Sequence, residues 1–395
     1  MILVDEKLIL YFYFRMPESL SLEIFDFSLK RKDLIEMETA IEENTYIILR
    51  MGTDILKVER QSDIESKRME KLLFRVKRDS NFNYLIENPS AINFSESNAD
   101  SLNTKLWYII NNINNDKNAF MNQDYILCEN DILKFGNVKY IVKQIHIKTN
   151  KDNKEIKELN FEFYPTFQSY VPSEKKDEKI IKCGICGNSN YSEDNPLVKF
   201  CNCNYLHFEC LKKQINAETY TKENEKVKNY YIKNIKCKSC DFIFPLRFKL
   251  EQRKYELIDI ETPSDDNIDY IIFESIEKKI YYGNMKLIHV IKFIGEKDLI
   301  TIGRNKKEND MIITDPSVSK DHAILMYDKY QGNILIKNKS KKFGTLAFIK
   351  NSINIEKRMK IQTGKIIFET QRMKMKEFDK IKKKKRTKYP LTSKY

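Results

Sequence analysis

Ile300 to Tyr327 reads ITIGRNKKENDMIITDPSVSKDHAILMY. Two apolar runs, LITIG (299–303) and HAILMY (322–327), bracket a polar stretch, as half-buried strands joined by a loop do. Gly303-Arg304 falls at the end of the first strand, and Ser319 and His322 fall where the loop runs into the second. Binding a phosphate takes a cation, a hydroxyl donor and backbone N–H groups converging on one anion. Arg304 and Ser319 suit that work, and Lys320 adds charge beside the serine. His322 is expected to brace the loop by hydrogen bonding and not to touch the ligand.

Outward from this stretch the same pattern repeats. YIIFESI (270–276), LIHVIKFI (287–294), GNILIKN (332–338) and IIFET (366–370) are short strand-like runs between polar turns. Strands at that spacing indicate a sandwich or barrel and not a parallel sheet. TYIILRM (45–51), KLWYIINN (105–112) and VKYIVKQIHIK (138–148) extend the pattern towards the N-terminus. The single tryptophan, Trp107, reads as core, and Cys128 reads as a buried apolar residue. His146 and His289 have no partners in motif spacing.

Between these blocks lie seven of the eight cysteines: Cys183-Gly-Ile-Cys186, Cys201-Asn-Cys203, His207-Phe-Glu-Cys210 and Cys237-Lys-Ser-Cys240. Eight soft or borderline donors in four close pairs match the needs of two tetrahedral structural zinc ions. Metal binding would supply folding free energy that a short, apolar-poor segment lacks. LKKQINAETY (211–220) is expected to form a short helix between the sites.

The whole chain of 395 residues is 41% hydrophobic and 32% charged, with 70 Lys+Arg against 57 Asp+Glu. The surplus of +13 favours acidic partners, and part of it sits in KKKKR (382–386). A nucleic-acid ligand rests on that charge alone. LILYFYF (8–14) is flanked by charges and is far short of the roughly 20 apolar residues of a membrane span. The expectation is an intracellular, cytoplasmic protein with no membrane span, with the cytoskeleton, the cilium and the nucleus open as sites.

The cysteine segment resembles the RING-variant (RING-CH type) family in its order of four Cys, one His and three Cys. That resemblance implies a cross-brace. Cys183, Cys186, His207 and Cys210 would hold one zinc, and Cys201, Cys203, Cys237 and Cys240 the other. It also implies recruitment of an E2 ubiquitin-conjugating enzyme, with Ile185 at the E2-contacting position. Gln214 stands where the family often has Trp, Asp241 follows the last ligand where a basic residue is used, and the Cys203–His207 gap is short. Gly303-Arg304, Asn309-Asp310, Ser319-x-x-His322 and Gly344-Thr345 resemble the forkhead-associated (FHA) domain from about Tyr270 to Phe368. That family binds phosphothreonine peptides at its loop end. The resemblance implies that Arg304 and Ser319 contact phosphate, with Lys320 and Lys342 adding charge. It implies that Gly303, His322, Gly344 and Thr345 shape the loops. Phe343 replaces the Asn that holds the peptide in such relatives, and Ser340 lies one residue further from Gly-Thr than usual. Residues 120–145 resemble the closing strands of a second, degenerate FHA-like sandwich.

The expected fold is therefore mainly β and multidomain. It has an N-terminal degenerate FHA-like β domain (1–165), a central cross-brace zinc module with a short helix (178–250), a C-terminal FHA sandwich (268–372) and a basic tail (373–395). The order of modules resembles multi-module proteins of protists such as ciliates. Two functions are open to such a chain. One is a phosphothreonine-reading adaptor of the ubiquitin system with RING-type ligase activity. The other is a non-enzymatic scaffold of a cytoskeletal or ciliary assembly, in which two zinc ions are purely structural.

Overall fold

The computed structural model describes residues 19–26, 31–37, 45–51, 54–58, 71–78, 84–88, 106–110, 125–148, 165–169, 181–233, 236–265, 267–276, 285–341, 344–350, 352–355, 359–364 and 366–373. The LILYFYF run, Lys342, Phe343 and the KKKKR tail lie outside them. Among the described residues no helix is long and apolar enough to cross a membrane.

The described chain is mainly β. Its first strands are β1 (Ser19–Asp26), β2 (Arg31–Met37), β3 (Thr45–Met51), β4 (Asp54–Val58), β5 (Lys71–Arg78), β6 (Tyr84–Glu87) and β7 (Leu106–Ile109). Next come β8 (Tyr125–Ile126), β9 (Ile132–Phe135), β10 (Val138–His146), β11 (Gln168–Ser169), β12 (Leu197–Lys199) and β13 (Tyr205–His207). The helix α1 (Phe208–Ala217) leads into β14 (Thr219–Glu223), β15 (Val227–Lys233), β16 (Arg247–Leu250) and β17 (Arg253–Glu256). The series continues with β18 (Asp269–Ser275), β19 (Met285–Phe293), β20 (Lys297–Gly303), β21 (Met311–Ile312), β22 (Ala323–Asp328) and β23 (Asn333–Asn338). It ends with β24 (Thr345–Phe348), β25 (Ser352–Asn354), β26 (Lys360–Thr363) and β27 (Ile366–Met373).

These strands fall into two compact units. The first combines Met1–Ala91 and Ser101–Ile109 with Phe348–Tyr395. Its sheets are β7-β26-β27-β1-β2 and β25-β6-β5-β3-β4. Alternation puts Phe74 and Val76 of β5 and Ile86 of β6 inside, while Arg75 and Lys77 stay partly exposed. Phe74 meets Phe368 edge-on with centroids 4.8 Å apart, and Trp107, 2% exposed, packs on Phe348.

The second unit spans Ile92–Asp100 and Ile110–Ala347. One of its sheets has the order β14-β15-β19-β18-β10-β9-β24 and the other β21-β20-β22-β23-β8. Tyr327 of β22 stacks on Phe293 of β19 with centroids 4.4 Å apart, joining the two layers. Strands β8, β9 and β10 come from residues expected in a separate N-terminal sandwich. They pair instead with β23, β24 and β18. Likewise β26 and β27 pair with β7 and β1 and not with β20–β23. Alternation of apolar residues marks a strand and its buried face, but it does not name the partner. The linear blocks and the compact units therefore differ.

Cys128 is also corrected: it is exposed and not buried. It opens a tight turn closed by Asp131, whose carboxylate accepts the Cys128 N–H at 2.9 Å. His289 is fully buried, with Nδ1 2.6 Å from the Asn229 side-chain oxygen and Nε2 3.1 Å from the Tyr140 hydroxyl, a packing role.

The cysteine segment is built onto this sandwich. The helix starts at Phe208, three residues ahead of the expected segment, and gives way to strand at Thr219. Strands β14 and β15 form a hairpin that adds two strands to the edge of β19. One continuous apolar cluster joins Leu197, Phe200, Leu211 and Phe248 of the segment to Tyr230, Ile272, Ile288 and Val290 of the sheet. Phe248 stacks on Tyr255 and receives Phe200 edge-on, both at 5.0 Å.

An ionic group is buried at the same junction. Glu274 of β18 pairs with Arg247 of β16 and with Lys286 of β19, the latter at 2.7 Å. Burial alone would raise the Glu274 pKa, but Arg247, Lys286 and Lys143 outweigh it and hold it at about 2. Replacing Glu274 with Ala strands two buried cations, so it is expected to cost about 3–5 kcal/mol in chemical denaturation. Because the folded pKa lies below the usual 4.5, the stabilisation is complete above that pH and is lost as pH falls towards 2. Wild type should show this acid loss, and Glu274→Gln should remove its share of it.

Candidate phosphate-binding loops and metal centres

The loops after β20 and before β22 meet at one end of the second unit. Gly303 closes β20 where a Cβ would lie 2.2 Å from the Lys320 carbonyl oxygen, so only glycine lets the two loops touch. The Arg304 N–H donates to the Ser319 carbonyl at 2.9 Å, and the Asn309 side-chain amide donates to the Lys320 carbonyl at 2.7 Å. Arg304 Nε donates to the Val318 carbonyl at 3.2 Å. Arg304 and Lys320 are exposed, and Ser319 is half-buried between them.

His322 is fully buried and works on the loop from below. Its Nδ1 accepts the Ser319 N–H at 3.0 Å, and its Nε2 donates to the Gly344 carbonyl at 3.0 Å. Those two bonds fix the neutral tautomer. Desolvation lowers its pKa to about 4, against a smaller opposing pull from the Gly344 carbonyl and Asp321. The left-handed φ of +69° at Gly344 turns the chain under the ring. The bracing expected of His322 is what the geometry provides.

Asn338 is a residue the motif reading missed. Its side-chain oxygen accepts the Ser340 N–H and the Thr345 hydroxyl, both at 3.0 Å, and its amide donates to the Ser340 carbonyl. The Ser340 hydroxyl then lies 2.8 Å from that of Ser319. A polar residue closing a strand two positions before a serine was the available signal.

The metal-ligating candidates converge in two groups. Cys183, Cys186, His207 and Cys210 form one and Cys201, Cys203, Cys237 and Cys240 the other, with ligand atoms within 4.8 Å of one another, so each could hold a metal ion. The groups interleave along the chain. His207 Nε2 donates to the Asn190 carbonyl at 2.6 Å, which leaves Nδ1 as the ligating atom, 3.3 Å from Cys186 Sγ. Backbone N–H groups of Ile185 and His207 point at Cys183 Sγ.

The thiols are electrostatically in conflict. Backbone N–H groups of Ser239 and Cys240 lower Cys237 to about 6. The hydrogen bond to Cys240 pushes Cys203 up to about 12, and burial beside Cys186 pushes Cys210 to about 12. One thiolate in each group suppresses the next, and a divalent cation removes that repulsion. Ile185 is 44% exposed on the turn between the first two ligands, and Gln214 and Asp241 are also exposed.

Comparison with known proteins gives one match. Residues 300–367 match the family model of the FHA domain. Its portion beyond residue 347 belongs to the first compact unit. No curated protein and no solved structure matches the chain.

Two outcomes are expected. Cobalt(II) titrated into metal-free chain should give two equivalents with thiolate charge-transfer absorption. Cys210→Ser and Cys240→Ser should each leave one. In an NMR titration the His322 ring should stay neutral from pH 8 to pH 5. Its depressed pKa contributes up to about 3 kcal/mol above pH 6.5, lost as pH falls towards 4. Denaturation midpoints should follow that curve.

Proposed function

We propose that this protein is a phosphothreonine-reading adaptor whose cysteine segment holds two structural zinc ions and recruits an E2 ubiquitin-conjugating enzyme. The observation that carries the reading is the convergence of Arg304, Ser319 and Lys320 over a neutral, buried His322, within the stretch that matches the FHA domain. Arg304 and Lys320 supply charge, and Ser319 supplies a hydroxyl that exchanges its Ser340 bond for a phosphate oxygen. Zinc is favoured by the donor sets, three thiols with one imidazole and four thiols. Lys342 belongs to the same proposal but lies outside the described residues.

The adaptor has no chemical catalyst of its own. Its zinc segment would hold a ubiquitin-charged E2 by an exposed apolar contact at Ile185. The second reading is a non-enzymatic scaffold of a cytoskeletal or ciliary assembly. It is favoured by the exposed Gln214 and Asp241 on the surface an E2 would use and by the fusion of the segment's core to the sandwich.

The full chain should bind a phosphothreonine peptide library in a phosphate-dependent way. Arg304→Ala and Ser319→Ala should each weaken that binding at least about tenfold. The zinc-loaded chain should discharge ubiquitin from at least one E2 of a broad panel, and Ile185→Ala should abolish the discharge. Phosphopeptide binding without discharge by any E2 would leave the scaffold reading.

A further inference from the structure

Beside the phosphate-binding loops runs a groove of about 850 Å³ that the FHA segment does not form alone. One wall is the β14–β15 hairpin of the cysteine segment, which presents Tyr220, Lys222 and Tyr231. The other is the loop after β20, with Arg304, Lys306, Lys307 and, across from it, Lys320. Between them lie the apolar Met285, Leu287 and Ile312, with Asn305 and Thr314 also in the lining. Among its described lining residues the groove carries five cations and no carboxylate.

The hairpin is held as a wall. At its turn the Asn224 side chain accepts the Lys226 and Val227 N–H groups and donates to the Asp310 carbonyl at 3.0 Å. Lys226 pairs with Asp298 at 3.3 Å and donates to the Leu299 carbonyl. The hairpin is therefore tied to the strand that leads into Arg304 and to the loop that follows it. Tyr220 and Tyr231 stack with rings 4.7 Å apart and 4° from parallel, and Lys222 lies over the second ring. Tyr220 stays 42% exposed, offering an aromatic face to the groove.

We propose that this composite groove reads the residues flanking the phosphothreonine, taking an apolar side chain against Tyr220 and Leu287 and an acidic side chain against Lys306 and Lys307. The inference rests on reading Arg304 and Ser319 as the phosphothreonine contacts, because the groove opens from Arg304 and Lys320. Charge selects an acidic segment. An apolar strip of Met285, Leu287 and Ile312, with a single ring face free for stacking, favours a peptide over a nucleic acid. The cysteine segment thus contributes specificity directly to the reader.

The test uses the full chain and a library with fixed phosphothreonine and randomised flanking positions. Wild type is expected to select an apolar residue and an acidic residue at two separate positions. Tyr220→Thr, a strand-compatible change at an exposed site, should remove the apolar preference. Lys306→Glu with Lys307→Glu should remove or invert the acidic one. Each should weaken the best wild-type peptide about tenfold, while a peptide with alanines around the phosphothreonine binds wild type and Tyr220→Thr alike. Phosphate-dependent binding that is lost in Arg304→Ala, but whose flanking selectivity survives both variants, overturns the groove and leaves the reader standing. Absence of any phosphate-dependent binding overturns both together. A single-stranded oligonucleotide that displaces the peptide through Tyr220, with steep salt dependence, also overturns the peptide assignment.

Discussion

The cysteine segment does not close a core of its own, and the architecture of the second unit follows from that constraint. A short chain rich in Lys, Asn and Cys cannot bury enough apolar surface to offset its conformational entropy. Metal held by the two cysteine groups would be one remedy. The apolar cluster that runs from Leu211 and Phe248 into Ile288 and Val290 is the other, because it borrows one face of the sandwich sheet. Glu274 with Arg247 and Lys286 then fixes orientation at that junction. An apolar contact alone would permit sliding. A buried acid satisfied from both elements restricts the contact to one arrangement, although its net contribution to stability is small.

The loops that carry Arg304 and Ser319 obey a related logic. An exposed cationic surface cannot be rigidified by filling it, so the order comes from beneath. His322 bonds Ser319 and Gly344, Asn338 bonds the Ser340 backbone, and Gly303 permits the close approach of the loops after β20 and before β22. A protonated His322 would lose its acceptor at Nδ1 and release the Ser319 N–H. Burial that keeps the ring neutral therefore preserves the loop geometry across the physiological range.

Much of this was legible in the residues. The spacing of the cysteine pairs, the Gly303-Arg304 strand end and Ser319-x-x-His322 each specify local chemistry, and local chemistry is what sequence carries. Strand partnership is not local. VKYIVKQIHIK marks a strand without indicating that it lies against YIIFESI, because register depends on which faces the remaining chain leaves uncovered. The same holds for Cys128, whose exposure follows from the turn closed by Asp131 and not from the apolar run around it. The β14–β15 hairpin was hidden for a third reason. TYTKE and VKNYYIK are polar enough to pass for a linker between ligand pairs, and only the free edge of β19 turns them into strands.

That hairpin changes how the two chemistries should be regarded. It begins one helix after His207 and ends at Lys233, just ahead of Cys237, so it runs from a ligand of one metal group to a ligand of the other. Between those ends it supplies two strands to the sandwich and, at Asn224 and Lys226, bonds to Asp310 and Asp298 on either side of Arg304. A zinc finger and a phosphopeptide domain strung on a linker could each be removed without harm to the other. Here the backbone between the ligand pairs forms the sheet edge and bonds, through Asn224 and Lys226, to the segment on either side of Arg304. Disrupting either cysteine group would therefore disturb one end of the hairpin that walls the groove beside Arg304.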